Sequence, residues 1–345
     1  MTISLAQNAD WILSQNTAAA KGAATPVWLN PGSLPAPDGR HEAVLFIKPE
    51  LACLSADTLK SVFAMIDAAC TKYGVEILNI GSLGWKYMKE HNIAGEHYGV
   101  INKISREGLS ALSDTVKAKI GEAFSLADQY IMGAHQFLES YPEWNAVSLG
   151  DKWESQNATH TQKLAPGTYA QKFDQNGTPH VLLGGFHPMQ LLHFTDEGRS
   201  IIVMPVRSST SWATLRDEMV GATDPTQAPA GALRAQLLAD KDSLGIPNVS
   251  KGLNGIHLSA GPLEGMVEVV RFTSNLSSGS KIATSATNFG SAWTQSGGSA
   301  SDLAKLADNE ILSVGGKTIS AFDATELMDM APAISTLKEG LKAAA

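Results

Sequence analysis

The sequence predicts an α+β layered domain with long insertions, rather than a doubly wound parallel sheet. Two observations lead to this prediction. The first ordered region reads as strand, helix, strand, and beyond it helical and strand-like segments follow each other in no regular alternation. The chain has 345 residues, of which 43% are hydrophobic and 17% charged, so it is long enough to bury a sizeable core.

The opening strand, helix and strand give the clearest local signal. Residues 43–47 are all apolar, which is typical of a strand buried on both faces. Ser55 is suited to cap a helix whose apolar residues recur at helical spacing, and Gly74 is suited to end it. Residues 75–80 then read as a second strand. We expect residues 1–40 to form one short helix followed by an irregular arm.

Patterns in the rest of the chain are weaker. Residues 140–178 are polar and are expected to be mostly loop. We predict helices near 85–90, within 109–138, at 211–220, 231–238, 263–267 and 301–306, and over 324–341, and strands at 191–194, 200–206 and 267–272.

Charge and composition exclude several classes of function. A formal charge of −8 argues against a nucleic-acid backbone or an anionic membrane surface as the main partner. The first 20 residues lack the basic start and apolar core of a signal peptide, and no apolar run approaches the roughly 18 residues of a membrane helix. We therefore expect a cytoplasmic protein whose two cysteines, Cys53 and Cys70, are buried and reduced.

Common metal and phosphate motifs are missing from the sequence. It contains neither a Gly-x-x-x-x-Gly-Lys-Ser/Thr loop nor a His-Glu-x-x-His pattern, and it has no paired-cysteine motif. His187 and His193 would face the same side of a predicted strand, but a third ligand is not evident. A structural role is the favoured interpretation for both histidines.

Several short segments carry residues suited to phosphate chemistry. A lysine at the end of a strand can reach a phosphate, and a histidine with a downstream glutamate can act as a nucleophile. The segments are Ile47-Lys48-Pro49, Glu96-His97-Tyr98, Gly221-Ala222-Thr223-Asp224-Pro225, Gly231-Ala232-Leu233-Arg234 and Asn254-Gly255-Ile256-His257-Leu258-Ser259, with Glu268 eleven residues beyond His257.

The order of these segments resembles that of the nucleoside diphosphate kinase family. That family has a strand ending in Ile-Lys-Pro, then His-Tyr, Gly-x-Thr-Asn-Pro, Gly-Thr-Ile-Arg and Asn-x-x-His-Gly-Ser with a downstream Glu. The matched parts are about 41–102 and 182–272. The resemblance implies a ferredoxin-like (βαββαβ) antiparallel core at 41–272, interrupted by an insertion at 103–180, after an arm at 1–40 and before an extension at 273–345.

The resemblance also implies a catalytic mechanism. His257 would take the γ-phosphoryl group of ATP or another nucleoside triphosphate and pass it to a nucleoside diphosphate in a second half-reaction. Glu268 would fix the tautomer of the histidine, and Ser259 would hydrogen-bond Glu268 or the leaving oxygen. Lys48 and Arg234 would neutralise the charge of the transferring group.

Binding roles follow from the same resemblance. Tyr98 would hydrogen-bond the phosphoryl group, Thr223 would hold the β-phosphate, and Asn254 would hold the ribose hydroxyl. Phe186 lies close to the position of the phenylalanine that stacks on the base. Arg216 is one residue away from the expected register, which falls on position 217. Mg²⁺ would enter with the nucleotide, and the family's assembly implies a homo-oligomer, at least a dimer.

Departures from the family pattern leave the acceptor open. Leu258 and Ala260 replace the glycine and aspartate that flank the family's serine. A kinase of the same fold with a different small-molecule acceptor is therefore one alternative. A nucleotide-binding module without turnover is a second, and a structural scaffold is a third.

Overall fold

The computed structural model describes residues 3–32, 34–165 and 167–344. Met1, Thr2 and Ser33 of the predicted arm, Pro166 of the predicted loop and Ala345 of the predicted extension lie outside the described residues. Contacts divide the chain into two compact units. The first comprises residues 1–87 and 197–345, and the second comprises residues 88–196.

The described residues combine α-helices with mostly antiparallel sheets, in line with the α+β prediction. The helices are α1 (Ala9–Ala20), α2 (Pro49–Ala52), α3 (Ala56–Lys72), α4 (Trp85–Glu90), α5 (Ile93–His97), α6 (Gly99–Glu107), α7 (Asp114–Phe124), α8 (Ala134–Ser140), α9 (Ala146–His160), α10 (His187–Thr195), α11 (Leu233–Ala239), α12 (Pro262–Thr273), α13 (Asn288–Gln295), α14 (Ala300–Ala307) and α15 (Met330–Ala344). The strands are β1 (His41–Ile47), β2 (Val75–Ile77), β3 (Gly81–Gly84), β4 (Ile131–Gly133), β5 (Thr161–Ala165), β6 (Thr168–Gln175), β7 (Thr178–Leu183), β8 (Ser200–Ser208), β9 (Ile256–Leu258), β10 (Ile311–Val314) and β11 (Lys317–Ser320).

The first unit is built on one antiparallel sheet with the strand order β2-β8-β1-β9, in which β3 also pairs with β8. The central strand β1 pairs with β8 along its whole length, from His41 opposite Ser208 to Ile47 opposite Ile202. Its other edge pairs with the short strand β9. Since six of its seven residues are buried, β1 lies between two packed layers, as its apolar run predicts.

One of these layers contains α3. Ser55 caps this helix by accepting a hydrogen bond from the backbone N–H of Thr58, as the sequence predicts. Its buried residues share a core with Leu45 and Ile47 of β1 and with the segment from Trp212 to Leu237. Successive side chains of β1 point to opposite faces of the sheet. Phe46, between Leu45 and Ile47, therefore lies on the other face, where it contacts Phe272 of α12. The sheet thus holds α12 on the face opposite α3.

A buried ion pair joins three distant parts of the first unit. Arg207 of β8 is 1% exposed and donates to the carboxylate of Glu42 on β1 at 2.7 and 2.9 Å. The same guanidinium donates to the backbone carbonyls of Pro35 and Ala36 in the N-terminal arm. Glu42 also accepts from the backbone N–H of Asn288 at the start of α13. These hydrogen bonds therefore connect the N-terminal arm and the C-terminal extension to the sheet.

The second unit contains a separate four-stranded sheet with the order β4-β7-β6-β5, in which only β4 and β7 run parallel. Two of its strands and helix α9 come from residues 140–178. The prediction of mostly loop there was wrong, because the Asn145 side chain caps a helix and the polar residues beyond it alternate along strands with one buried face.

Two predicted strands are helices in the structure. Residues 191–194 belong to α10, so His187 and His193 lie on different helical faces and not on one side of a strand. His187 is buried and its ring nitrogens face Asn102 and Gln190, a structural arrangement. Residues 267–272 belong to α12, where burial recurs at three-residue intervals after a proline in the first turn.

Other differences are smaller. The second strand ends at Ile77, and the chain resumes pairing at β3. The interval 109–138 contains short helices and the strand β4, and the extension contains the unpredicted hairpin β10–β11. Cys70 is buried as expected, but Cys53, the residue that follows α2, is exposed. Every helix within the described residues is too short or too polar to cross a membrane.

Candidate active site

His257 lies on the edge strand β9 of the first unit. Its backbone is placed opposite Phe46 of β1, and the two rings stack with centroids 4.4 Å apart at 19°. The imidazole side chain keeps 14% of its surface exposed. The strand thus holds the ring against an apolar surface and leaves part of it open to a reactant.

Glu268 approaches the ring from helix α12. Its side chain has no exposed surface, and its Oε2 lies 2.9 Å from Nε2 of His257. Ser259 donates from its Oγ to the same carboxylate oxygen at 2.6 Å and accepts from the backbone N–H of Val44 at 2.9 Å. The predicted contact between Ser259 and Glu268 is therefore present.

This contact determines which ring nitrogen can attack an electrophile. An ionised carboxylate only accepts hydrogen bonds, so with Glu268 ionised Nε2 of His257 carries a proton. A neutral imidazole then has its lone pair on Nδ1. Positive charge that develops on the ring during attack by Nδ1 would be stabilised by the charge of Glu268.

The chain reaches β9 through a tight approach at Gly255. This residue has a φ of +76°, and a Cβ atom there would lie 2.5 Å from Cδ1 of Leu51. Its N–H donates to Oε1 of Glu50 at 2.8 Å, and its carbonyl accepts from the N–H of Lys48. A glycine is needed for this conformation and closeness. It ties the start of β9 to the end of β1.

Lys48 and Asn254 are hydrogen-bonded beside Gly255, where the start of β9 meets the end of β1. Lys48 Nζ donates to Oδ1 of Asn254 at 2.7 Å. The amide nitrogen of Asn254 donates to the carbonyls of Thr223 and Lys251. Asn254 is 1% exposed and uses its amide within the protein, so a ribose hydroxyl would have to share these groups. Thr223 itself is exposed, in the loop before Pro225.

Three cationic side chains surround the strand that carries His257. Burial lowers the pKa of Lys48 to about 8; the charges of Arg234 and Arg216 also lower it, while Glu50 opposes the shift. Burial lowers the pKa of Arg234 to about 10, and Arg216 contributes to this shift. Mutual repulsion of this kind is relieved when an anion binds.

Arg234 is held inside the protein. It lies in the first turn of α11, is 3% exposed, and donates to the carbonyls of Ile256 and Gly221. These bonds place the guanidinium next to the residue before His257. They also hold the loop at Gly221, which leads to Thr223.

Arg216 reaches the site through an unusual helical turn. The segment Thr214–Val220 is π-helical and closes with a bond from Gly221 N–H to the carbonyl of Arg216, five residues earlier. A π turn accommodates one more residue than an α turn. Arg216 donates from Nη1 to the carbonyl of Leu258 at 2.5 Å, and its buried Nε has no hydrogen-bond partner among the described residues.

Two predicted site residues, Tyr98 and Phe186, belong to the second unit. Tyr98 lies between α5 and α6 and contacts the rings of His187 and Phe194. Phe186 precedes α10 and contacts two other aromatic rings, Trp153 and Tyr169. Their predicted roles remain predictions.

Two carboxylates near His257 were not anticipated. Glu50 accepts from Gly255, and its place two residues after Lys48 was the available sequence signal. Glu264 accepts at Oε2 from the backbone N–H of Ala260 at 2.8 Å. Its position four residues before Glu268 would put both glutamates on one helical face, but only once the segment was recognised as a helix.

Comparison of the sequence with models of known protein families finds no match, and comparison with curated proteins finds none either.

Proposed function

We propose that this chain is a phosphotransferase of the nucleoside diphosphate kinase type, which moves the γ-phosphoryl group of a nucleoside triphosphate through a phosphohistidine at His257. The observation that carries the proposal is the 2.9 Å contact between Nε2 of His257 and the buried carboxylate of Glu268. A partly exposed histidine with a fixed tautomer and a charge-stabilising partner is equipped for nucleophilic attack.

In the first half-reaction Nδ1 of His257 attacks the γ-phosphorus. A nitrogen–phosphorus bond forms, the bond to the oxygen bridging the β- and γ-phosphates breaks, and the nucleoside diphosphate leaves with that electron pair. The proton on Nε2 stays in the hydrogen bond with Glu268 throughout. In the second half-reaction an acceptor oxygen attacks the phosphorus, and the nitrogen–phosphorus electron pair returns to the ring.

The cations support this chemistry. Lys48 donates to Asn254, just before the strand of His257, and Arg216 donates to the carbonyl of Leu258 on that strand. Arg234 adds a third positive charge at the carbonyl of Ile256. Charge on a transferring phosphoryl group is stabilised by such preorganised donors. These side chains cannot ligate a metal ion, so Mg²⁺ would arrive bound to the phosphate oxygens of the nucleotide.

The strand order supports the proposed fold. A ferredoxin-like core has two central strands, each followed by a helix that leads to an outer strand. In the first unit β1 leads through α3 to β2, and β8 leads through the π-helical segment and α11 to β9. The four strands then lie in the order β2-β8-β1-β9, with neighbouring strands antiparallel.

A nucleoside diphosphate is the acceptor that the resemblance implies. Leu258 and Ala260, where the family has a glycine and an aspartate, favour a different small-molecule acceptor as the second candidate. A cytoplasmic location and a homo-oligomeric state, at least a dimer, are part of the same proposal.

Isotope exchange tests the proposal without knowledge of the acceptor. Because the first half-reaction is reversible, labelled ADP should exchange into ATP in the presence of Mg²⁺ and protein alone. We expect exchange in the wild type and in His160→Ala, which alters an exposed histidine, and none in His257→Ala. Equal exchange in His257→Ala would contradict the phosphohistidine.

Failure of exchange with both ATP and GTP would favour a nucleotide-binding module without turnover. In that case a nucleotide at about 100 times its dissociation constant should still stabilise the protein by ~2.7 kcal/mol. Absence of both isotope exchange and stabilisation by nucleotide would leave a structural scaffold as the remaining alternative.

A further inference from the structure

Two glutamates on adjacent turns of α12 hold the same short segment. Glu268 bonds to His257 and Ser259, and Glu264 accepts from the backbone N–H of Ala260. Residues four apart on a helix lie on one face, so both carboxylates point toward the chain that follows the histidine. Glu268 is completely buried and Glu264 is half-buried, and two carboxylates placed together in this way cannot both ionise at low energetic cost.

The charges around Glu264 come from two elements. Glu268 and Arg271 lie on its own helix, and Arg216 faces it from the π-helical segment. Burial, and after it the charge of Glu268, raise the pKa of Glu264 to about 8, against the opposite effects of the Ala260 N–H and the two arginines. Glu268 has hydrogen-bond contacts to two groups and Glu264 accepts from one, which favours the negative charge on Glu268.

We propose that Glu264 is a positioning residue that keeps its proton during the first half-reaction, so that Glu268 is the single charged carboxylate beside His257. This inference rests on the proposed phosphoryl transfer. A second negative charge would favour the protonated ring, which cannot attack, and would repel the incoming phosphate. Meanwhile Glu264 accepts a hydrogen bond from the backbone N–H of Ala260 and so holds the loop after His257. The side chain of Ala260 is apolar and cannot do this itself.

The proposal predicts a specific dependence on pH. Glu264 is protonated below about pH 8 and loses its proton above it. Lys48 loses its proton in the same range. If the active form needs both protons, the wild-type rate above pH 8 should approach a decrease of about 100-fold for each pH unit, because Glu264 and Lys48 both lose a proton there. A variant without the carboxyl group at position 264 should fall by about tenfold per unit.

The test is single-turnover phosphorylation of the full chain by ATP and Mg²⁺, from about pH 6.5 to 9.5, at nucleotide concentrations far below saturation. Under these conditions the rate reports the protonation of the free enzyme. We expect Glu264→Gln, which can still accept from Ala260, to show the shallower decline. Glu218→Gln, an exposed glutamate in the π-helical segment, should retain the wild-type decline.

The outcomes are distinguishable. Phosphorylation with the same steep decline in Glu264→Gln and wild type overturns this inference and leaves the proposed function intact. A wild type that is never phosphorylated overturns the proposed function, and this inference with it. If Glu264→Gln does not fold, ¹³C NMR of labelled glutamate carboxyl groups in the wild type decides. We expect one glutamate to titrate near pH 8, and no glutamate titrating above about pH 6 would overturn the inference.

Discussion

The carboxylate of Glu268 lies 2.9 Å from Nε2 of His257 and is completely buried. Sequence separation alone would not create this contact. It arises because β9 ends at Leu258, Ser259 bonds back to Val44, and α12 then returns across the sheet. One short strand, one turn and one helix therefore build the pair that the proposed chemistry needs.

Glu268→Gln tests the charge of this pair while keeping an oxygen acceptor. A hydrogen bond to a charged group contributes about 1.5–3 kcal/mol, so we expect phosphorylation of His257 to slow by about 10- to 100-fold. Single-turnover rates with ATP measure the effect, and the exposed Glu218→Gln serves as the control. A rate equal to that of the wild type would show that the charge of Glu268 plays no part in the attack.

Ser259→Ala should lower the stability of the protein. The buried Ser259 hydroxyl accepts from the N–H of Val44 and donates to Glu268, and its loss leaves both groups short of a partner. We expect the free energy of unfolding to fall by about 1–3 kcal/mol in chemical denaturation. Ser61→Ala, at an exposed position on α3, should change it by no more than about 0.5 kcal/mol. Equal effects of the two substitutions would contradict the assigned contacts.

Glu42→Gln should be strongly destabilising. It removes the buried carboxylate beside Arg207 and leaves only the half-buried Asp38, 3.5 Å away, as a charged partner; breaking a buried pair costs about 3–5 kcal/mol. The matched control is Glu76→Gln, because Glu76 pairs with Arg40 at the surface, where such pairs contribute about 0–1 kcal/mol. Denaturant titration of both variants measures the difference. A loss below about 1 kcal/mol in Glu42→Gln would mean that the ion pair does not fasten the arm and the extension.

Anion binding should be coupled to proton uptake by Lys48. Its pKa of about 8 lies below the ordinary value of 10.5, because burial disfavours the charged amine. Between pH 8 and 10.5 the folded protein therefore binds fewer protons than the unfolded chain, and this group adds stability as the pH rises through that window. A bound phosphate favours the charged amine and reverses the shift.

At pH 8 nucleotide binding should thus take up about half a proton. Calorimetry in buffers of different ionisation enthalpy measures this uptake. We expect it to disappear in Lys48→Met when both proteins also carry Glu264→Gln, because Glu264 would otherwise take up a proton near pH 8 as well. Persistent uptake of the same size in that variant would assign the proton to another group.

The sequence predicted the central strand and the cap of α3 because each is a local pattern, whereas the segments of the site were proposed from the family resemblance. The apolar run of β1, the Ser55 cap and the order of Lys48, Arg234 and His257 can all be read without tertiary information. In contrast, residues 267–272 are rich in β-branched and aromatic side chains, which favour a strand in isolation. Packing of their three-residue periodicity against the sheet outweighs that preference.

The position of Arg216 could not be derived from spacing. A displacement of one residue turns a side chain by about 100° on an α-helix, which would direct it away from the site. In the structure Thr214–Val220 is π-helical, so side-chain directions there do not follow α-helical spacing. Such turns depend on tertiary contacts and carry no reliable sequence signal. Glu264 was missed for a related reason, since its partnership with Glu268 exists only on a helix.

The central claim is that His257 carries the phosphoryl group, and intact-protein mass spectrometry at neutral to basic pH tests it most directly. After incubation with ATP and Mg²⁺ we expect the wild type to gain the mass of one phosphoryl group, which is lost on acid treatment and absent in His257→Ala. Peptide fragmentation should place it on His257. A stable adduct that persists in His257→Ala would contradict the account.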